Sequence, residues 1–250
     1  MTLNIQCCTL TGVDDSTPPQ DLVALSDEFP RVEWGFLYSP KRQGLPGRYP
    51  SVATLQRALL ELPPQVNVAL HVCGTGVHDL LAGEPVVEEL VELVAARQGR
   101  VQLNFNQNKE PIDLRRLNVT LSWYPNLTFI TQHNEANRGI WQALQDGGFA
   151  NHAVLFDASG GRGLVPEQWP QPLPGVTCGY AGGLSSDNLT FHLDAIAALV
   201  GDRKTWIDME GSLRLPDQEG IDWFNLARCR ACLDAVQGWM SRQDAQCVMG

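Results

Sequence analysis

Hydrophobic residues along the chain fall into short runs that alternate with longer amphipathic segments. The runs are short enough to be buried strands, at 3–7, 32–37, 66–72, 101–105, 127–131, 153–157, 176–180 and 205–209. Between them, apolar positions recur at helical spacing near 19–28, 51–61, 85–97, 112–120, 135–147, 186–199 and 220–240. A Pro-rich segment near 166–170 indicates a short helix or a turn.

This alternation favours an α/β protein, a single (β/α)8 TIM barrel. Strands that alternate with helices pair in parallel, and the 250 residues of the chain suit a barrel of this kind. An open doubly wound sheet is the alternative. No Ser/Gly-rich linker, charge block or low-complexity run divides the chain, so we expect one barrel domain over 1–250.

Acidic residues outnumber basic ones, with 28 Asp and Glu against 18 Lys and Arg and a formal net charge of −10. Such a surface disfavours nucleic acid and anionic membranes as partners, so an anionic ligand must be held locally. No apolar run reaches the roughly 20 residues of a membrane helix, and the start MTLNIQCC lacks the pattern of a signal peptide. We expect a cytoplasmic protein with a small-molecule ligand and leave its oligomeric state open.

The seven cysteines are an odd number, which favours free thiols. Cys229 and Cys232 form a C-x-x-C, but they lie in a segment where Leu226, Leu233 and Val236 recur at helical spacing. No second C-x-x-C or His pair completes a tetrahedral zinc site. We interpret both cysteines as small buried residues of an amphipathic helix.

Polar side chains are concentrated at the carboxyl ends of the predicted strands. In a (β/α)8 barrel these ends meet at one mouth, where active sites lie. His71, Gln102 and His133 are expected to contact substrate there. With Cys73 and Asp157, the two histidines would suit zinc chemically, but they come from separate strands with no local ligand spacing. We therefore expect no metal and no cofactor.

Two glycine turns follow the last two predicted strands, in GYAGGL and DMEGSL. Adjacent glycines bring backbone N–H groups close to a ligand, and phosphate sites in these barrels are typically formed by the loops after strands seven and eight. We predict a phosphate site on Gly182, Gly183, Gly211 and Ser212. A tight strand-to-helix turn needs the same glycines without a ligand, so this alternative stays open.

Cys8 and Asp157 are the candidate acid–base residues. Asp157 ends a predicted strand and precedes SGGRG, and a carboxyl group in a partly enclosed mouth can act as general acid or base. Cys8 ends the first predicted strand and can act as a base or nucleophile where positive charge lowers the pKa of its thiol. The alternatives are a solvated Asp in a glycine turn and a small buried Cys.

Taken in order, IQCCTLT, GFLYSPKR with GRYPS, VQLN, FDASGGRG, YAGGLSSDN and IDMEGSLR resemble phosphoribosylanthranilate isomerase, a barrel enzyme of tryptophan biosynthesis. The resemblance spans almost the whole chain, with about one motif per strand. It implies an Amadori rearrangement of an aminoaldose phosphate to an aminoketose phosphate, without metal or cofactor. A general acid opens the ribose ring, and a general base then removes the proton from C2.

The resemblance also assigns roles to residues. Cys8 falls on the family's base and Asp157 on its acid, and the phosphate would rest on the backbone of Gly182, Gly183 and Gly211. An arginine of the second strand–helix loop would contact substrate. Arg42 and Arg48 both qualify, and the RYPS that precedes a helix favours Arg48.

The sequence departs from the family pattern at the mouth. Asn104 and Phe105 replace a His-Gly pair, and Glu210 stands where the family has a serine. A carboxylate there weakens phosphate binding unless Arg162 or Arg214 offsets its charge. Two alternatives therefore stay open. One is a divergent enzyme that acts on another phosphorylated or carboxylated molecule, and the other is a non-catalytic ligand-binding barrel.

Overall fold

Eight strands run in parallel around a closed barrel, as the sequence predicts. The computed structural model describes residues 3–157 and 162–249, with side chains as far as 245. The strands are β1 (Asn4–Thr11), β2 (Val32–Tyr38), β3 (Asn67–Cys73), β4 (Arg100–Asn104), β5 (Thr128–His133), β6 (His152–Phe156), β7 (Thr177–Ala181) and β8 (Lys204–Met209). Each neighbours the next, and β1 pairs with β8 to close the barrel. The predicted fold class is confirmed.

Helices cover the outside of the barrel. They are α1 (Pro19–Glu28), α2 (Val52–Glu61), α3 (Thr75–Ala82), α4 (Pro85–Ala96), α5 (Leu114–Trp123), α6 (Ile140–Asp146), α7 (Leu189–Val200) and α8 (Leu226–Met249). Local signals start several of them: Ser51 accepts a hydrogen bond from the Thr54 N–H at the start of α2, and Asp113 caps α5 in the same way.

Two connections differ from the predicted pattern, and the one between β6 and β7, as far as the structure describes it, takes the form without a helix that was one of the two predicted there. An additional helix, α3, follows β3 directly, since Gly74 (φ +59°) and Gly83 (φ +76°) allow the chain to turn at its two ends. Within the described residues 162–176 no helix lies between β6 and β7, where a run of prolines removes helix-forming N–H groups. The predicted helix at 220–240 begins only at Leu226.

The chain before α8 forms a small hairpin instead. Its strands are β9 (Arg214–Pro216) and β10 (Asp222–Phe224), which pair antiparallel. Arg214 is 2 % exposed and anchors the hairpin, donating to the Gly12 carbonyl at 2.7 Å and lying 3.3 Å from Asp14 and 3.2 Å from Asp222. This anchoring places the loop after β8 beside the loop after β1.

The strands pack apolar residues outward against the helices. Trp34, Phe36, Leu70 and Phe129 are fully buried in this layer. Cys229 and Cys232 are buried on α8 as free thiols, which agrees with their interpretation as small residues of an amphipathic helix.

The barrel interior, here called the lumen, is unusually polar. Barrel interiors are usually filled by layers of Val, Ile and Leu. Here Glu33 of β2 pairs with Arg100 of β4, and His71 of β3 faces Asp208 of β8. These strands are not neighbours in the barrel, so each contact must cross the lumen. No described helix has the length and apolar character needed to span a membrane.

Candidate active site at the barrel mouth

Two carboxyl groups lie at the carboxyl ends of β6 and β8. Asp157 is 5 % exposed and accepts a hydrogen bond from Gln132 Nε2 at 3.2 Å. Glu210 is partly exposed, and its Oε1 lies 3.1 Å from Nη1 of Arg48. Burial raises the pKa of Glu210 against the lowering effect of Arg48, and the charge of Asp157 raises it further. Asp157 is therefore close enough to influence the protonation of Glu210.

The loop between β2 and α2 supplies the cations of the mouth. Arg48 contacts Glu210 and, through Nη2, Asp222 of the hairpin at 3.1 Å. Arg42 donates to the Tyr49 hydroxyl at 3.3 Å and lies over its ring. Gln43 fixes the loop by donating to the carbonyls of Leu37 and Pro50. The positive charge that offsets the Glu210 carboxylate thus comes chiefly from Arg48. From the sequence, Arg162 or Arg214 is expected in this role.

Cys8 does not lie at the mouth. It is 1 % exposed in the layer between barrel and helices, and burial raises the pKa of its thiol well above the ordinary value, with Cys232 of α8 among the further causes. A β-bulge between Ile5 and Cys7 shifts the register with β8, and Cys7 is the residue that packs with Trp206 in the lumen. The structure therefore separates Cys8 from Asp157.

The cysteine that lies at the mouth is Cys73, at the end of β3. Its Sγ is 3.5 Å from Nδ2 of Asn104, and burial raises the pKa of its thiol to about 12. Such a thiol stays protonated near neutral pH, so it is a poor base there. Asn104, one of the departures from the family pattern, also accepts a hydrogen bond from Gln102 at 3.0 Å.

The Gly-Gly turn after β7 is packed against the chain itself. Gly182 and Gly183 have φ of +124° and +61°, conformations that favour glycine. A Cβ at Gly182 would lie 2.8 Å from the Leu164 carbonyl oxygen, and one at Gly183 would lie 2.7 Å from the Val165 nitrogen. The close backbone approach that these glycines permit is thus made by residues 163–165. This contact accounts for the glycines without a ligand and weakens the argument for phosphate binding there.

The turn after β8 differs from the turn after β7. A Cβ at Gly211 would meet no atom within 4 Å, so the space beside it is open. The Ser212 hydroxyl donates to the Leu184 carbonyl at 2.7 Å and joins the two turns. Of the predicted phosphate residues, Gly211 has the open surroundings that a ligand needs.

His133 lies at the other side of the mouth, beside a cavity of about 520 Å³. Its ring meets Phe156 edge to face at 5.5 Å between centroids, and burial lowers its pKa. Trp169 and Arg138 also line this cavity. No group of three or more His, Cys, Asp or Glu side chains among the described residues could hold a metal ion.

His71 and Gln102 lie deeper, in the lumen, and are 2 % and 3 % exposed. Gln102 Nε2 is 3.3 Å from His71 Nδ1. Within the described part of the chain, His71 Nε2 and Gln102 Oε1 have no hydrogen-bond partner. Both residues were predicted to contact substrate, and their orphaned atoms belong to the floor below the mouth. Asp208, which shares this floor, belongs to the polar residues at the predicted strand ends, but no role was predicted for it from the sequence.

Fold and site together define a (β/α)8 barrel whose mouth carries two interacting carboxyl groups and two arginines. No protein-family model and no curated protein sequence matches the chain. Solved structures match in fold. TrpF from Jonesia denitrificans has a TM-score of 0.57 and 15% identity, covering 94% of this chain and 98% of that one.

Two further structures show how far this similarity extends. A phosphoribosyl anthranilate isomerase in complex with reduced 1-(o-carboxyphenylamino)-1-deoxyribulose 5-phosphate has a TM-score of 0.52 and 14% identity, covering 94% of this chain and 100% of that one. The phospho-2-dehydro-3-deoxyheptonate aldolase of Thermotoga maritima has a TM-score of 0.54 and 10% identity, covering 96% and 70%. At such identities the likeness is one of fold. Function must therefore be argued from the site.

Proposed function

We propose that this protein is a cofactor-free isomerase-type enzyme that moves a proton within a small phosphorylated substrate, with Asp157 and Glu210 as its acid–base pair. The observation that carries the proposal is the placement of two carboxyl groups at one mouth, the buried Asp157 after β6 and the partly exposed Glu210 after β8. Isomerisation by proton transfer needs one group that takes a proton and another that returns it. Two carboxyl groups in different environments meet this need.

The neighbours of the two carboxyl groups favour distinct roles. Asp157 is buried and held by Gln132, which fixes its direction as a base or acid must be fixed. Glu210 is more open, and its raised pKa favours the protonated form at higher pH than for an ordinary Glu. We assign Glu210 as the general acid and Asp157 as the general base of the first proton transfer.

The substrate's anionic group would bind beside Gly211 and Arg42. Gly211 has open space around it, and among the described residues the exposed side chain of Arg42 hydrogen-bonds only to the neutral Tyr49. Arg48 is already engaged by Glu210 and Asp222. The bound 5-phosphate compound in a structure of the same fold supports a phosphorylated ligand. A role in tryptophan biosynthesis rests on the sequence resemblance, and a cytoplasmic location rests on the composition of the apolar runs and of the first residues of the sequence.

The position of Cys8 favours a divergent enzyme over phosphoribosylanthranilate isomerase itself. The resemblance implies a cysteine base, and this cysteine is buried between barrel and helices. Glu210 stands in the mouth where the family has a serine. Both changes alter the groups that would contact the substrate. The proposed site thus keeps an acid–base pair, but Glu210 takes the place of Cys8 as the partner of Asp157.

The test is turnover by the purified protein of phosphoribosylanthranilate and of a panel of aldose and ketose phosphates. Asp157→Asn and Glu210→Gln should each lower kcat by roughly 10²- to 10⁴-fold, the usual contribution of a general acid or base. Glu28→Gln is the matched control, since Glu28 is exposed and pairs only with Arg230 among the contacts of described residues. Ligand binding without turnover, equal in all three variants, would instead identify a non-catalytic barrel.

A further inference from the structure

His71 and Asp208 face each other across the lumen beneath the mouth. His71 Nε2 lies 3.9 Å from Asp208 Oδ2, too far for a direct hydrogen bond. The histidine nitrogen has no partner among the described residues. An unpaired buried polar atom costs on the order of 1–3 kcal/mol, so it needs a partner that the described side chains do not supply. A single oxygen atom placed about 2.8 Å from both His71 Nε2 and Asp208 Oδ2 would be a hydrogen-bonding partner for both groups.

Hydrogen bonds on the far sides of both groups determine where their protons lie. Gln102 Nε2 lies 3.3 Å from His71 Nδ1, and since an amide nitrogen only donates, Nδ1 accepts and the ring proton is on Nε2. Thr11 Oγ1 donates to Asp208 Oδ1 at 2.9 Å. Oδ1 is therefore an acceptor, and Oδ2 is the oxygen that carries the proton when Asp208 is neutral.

The surroundings of both groups favour their neutral forms. Burial lowers the pKa of His71 to about 4. Burial raises the pKa of Asp208 well above its ordinary value, and the charges of Glu210 and Glu33 add to that rise. Burial thus favours an uncharged imidazole beside an uncharged carboxylic acid over an ion pair. The nearby charges of Glu33 and Arg100 already balance each other at hydrogen-bonding distance.

We propose that His71 Nε2–H and the Oδ2–H of Asp208 form an oxyanion hole, two donors for one carbonyl oxygen of the substrate. An oxygen about 2.8 Å from each donor fits between atoms that are 3.9 Å apart. Asp208 lies in β8, and Glu210 follows the end of that strand two residues later. The charge of Glu210 reaches the Asp208 carboxyl group, so the bound oxygen would lie near the proposed acid–base pair. Neutral donors in a site sheltered from water stabilise developing negative charge without prior reorganisation.

This inference rests on the proposed function and narrows its substrate to compounds with a carbonyl group next to a C–H. The base takes the proton from that carbon, the C–H electron pair becomes the C=C bond, and the carbonyl π pair moves onto the oxygen. The base loses one negative charge, and the oxygen gains it. For a substrate with a hydroxyl group on that carbon, such as ribulose 5-phosphate, Glu210 next protonates the oxygen to give an enediol. The Glu210 carboxylate then takes the proton of the other enediol hydroxyl as the new carbonyl forms, and Asp157 returns its proton to the former carbonyl carbon, so both residues regain their starting states. His71 and Asp208 donate hydrogen bonds throughout and transfer no proton.

Ribulose 5-phosphate in D2O is the kinetic probe, with deuterium exchange at the carbons next to its carbonyl followed by NMR. His71→Leu and Asp208→Leu should each lower kcat by 10²- to 10³-fold, as expected for one oxyanion donor, with little change in KM. Asp208→Asn keeps a neutral donor at the same position, so it should stay within about tenfold of wild type. Equal losses for Asn and Leu would show that the carboxylate charge matters and would overturn the proposal.

A second measurement does not depend on turnover. The ring nitrogens of His71, assigned by comparison with His71→Gln, should show a neutral ring with its proton on Nε2 from pH 7 down to pH 5. A charged imidazolium at pH 7, or a proton on Nδ1, would overturn the oxyanion hole whether or not the enzyme is active. If the wild type turns over no member of the substrate panel while the ring has the expected state, the proposed function fails and the donor geometry stands.

Discussion

Nη1 of Arg48 lies 3.1 Å from Oε1 of Glu210, which joins the loop after β2 to the end of β8 across the mouth. Both side chains remain about one-third exposed. A pair of this kind contributes little to stability, about 1 kcal/mol or less. Its importance lies in the charge state of Glu210.

Arg48→Ala should raise the pKa of Glu210 further, because Arg48 is the largest influence that lowers it. Titration of the Glu210 carboxyl carbon by NMR measures this change. Arg230→Ala, which breaks the exposed pair with Glu28, is the control and should leave the Glu210 titration as it is. An unchanged Glu210 pKa in Arg48→Ala would mean that the ion pair does not persist in solution.

Gly183→Ala should destabilise the fold by roughly 2 kcal/mol or more, because a positive φ and a contact with backbone both oppose a side chain. The new Cβ would lie 2.5 Å from Val165 Cγ2 and 2.7 Å from its backbone nitrogen. Gly211→Ala is the matched change, since its Cβ meets no atom within 4 Å. Urea unfolding compares the two. Equal stability of both variants would argue against the packing of residues 163–165 on the turn.

Arg100→Met should cost roughly 3–5 kcal/mol, because it leaves the buried Glu33 carboxylate without its cation. Arg100 Nε lies 2.7 Å from Glu33 Oε2, and the guanidinium also lies over the Trp206 ring at 4.6 Å. The double variant Glu33→Leu/Arg100→Met should recover most of the loss, since it removes both charges. Thermal and urea unfolding measure both proteins. A double variant as unstable as Arg100→Met would contradict this account.

Stability should fall as the pH drops from about 6.5 towards 4. Burial lowers the pKa of His152 to about 4, and its Nε2 lies 2.8 Å from Thr131 Oγ1. In the unfolded chain His152 binds a proton near pH 6.5. In the folded protein it binds that proton only near pH 4, so the unfolded state gains stability relative to the folded state between these values. The loss over this range is at most about 3 kcal/mol for this residue.

His152→Gln is the variant that isolates this effect, because glutamine can keep a hydrogen bond to Thr131 and cannot take up a proton. Urea unfolding at a series of pH values should show a smaller decline for the variant than for the wild type. His71, whose pKa burial also lowers to about 4, retains its share of the decline in both proteins. Equal slopes in the two proteins would contradict the assignment to His152.

The pattern of the sequence predicts the eight strands and their closed parallel arrangement, because hydrophobic periodicity records burial element by element. The helix α1 occupies the predicted bounds 19–28, and Asp157 falls at a strand end as expected. The additional helix α3 was readable from the spacing of Val77, Leu80 and Leu81 between two glycines. These signals are local, so they can be recognised in a single sequence without knowledge of the tertiary structure.

The tertiary structure decided which residues meet. Whether Cys7 or Cys8 faces the lumen depends on a bulge in β1, since a shift of one residue moves every side chain of a strand to the other face. The packing of residues 163–165 on the Gly-Gly turn and the meeting of His71 with Asp208 join positions far apart along the chain. Such contacts arise from barrel closure, which brings distant strand ends together and leaves no local signature in the sequence.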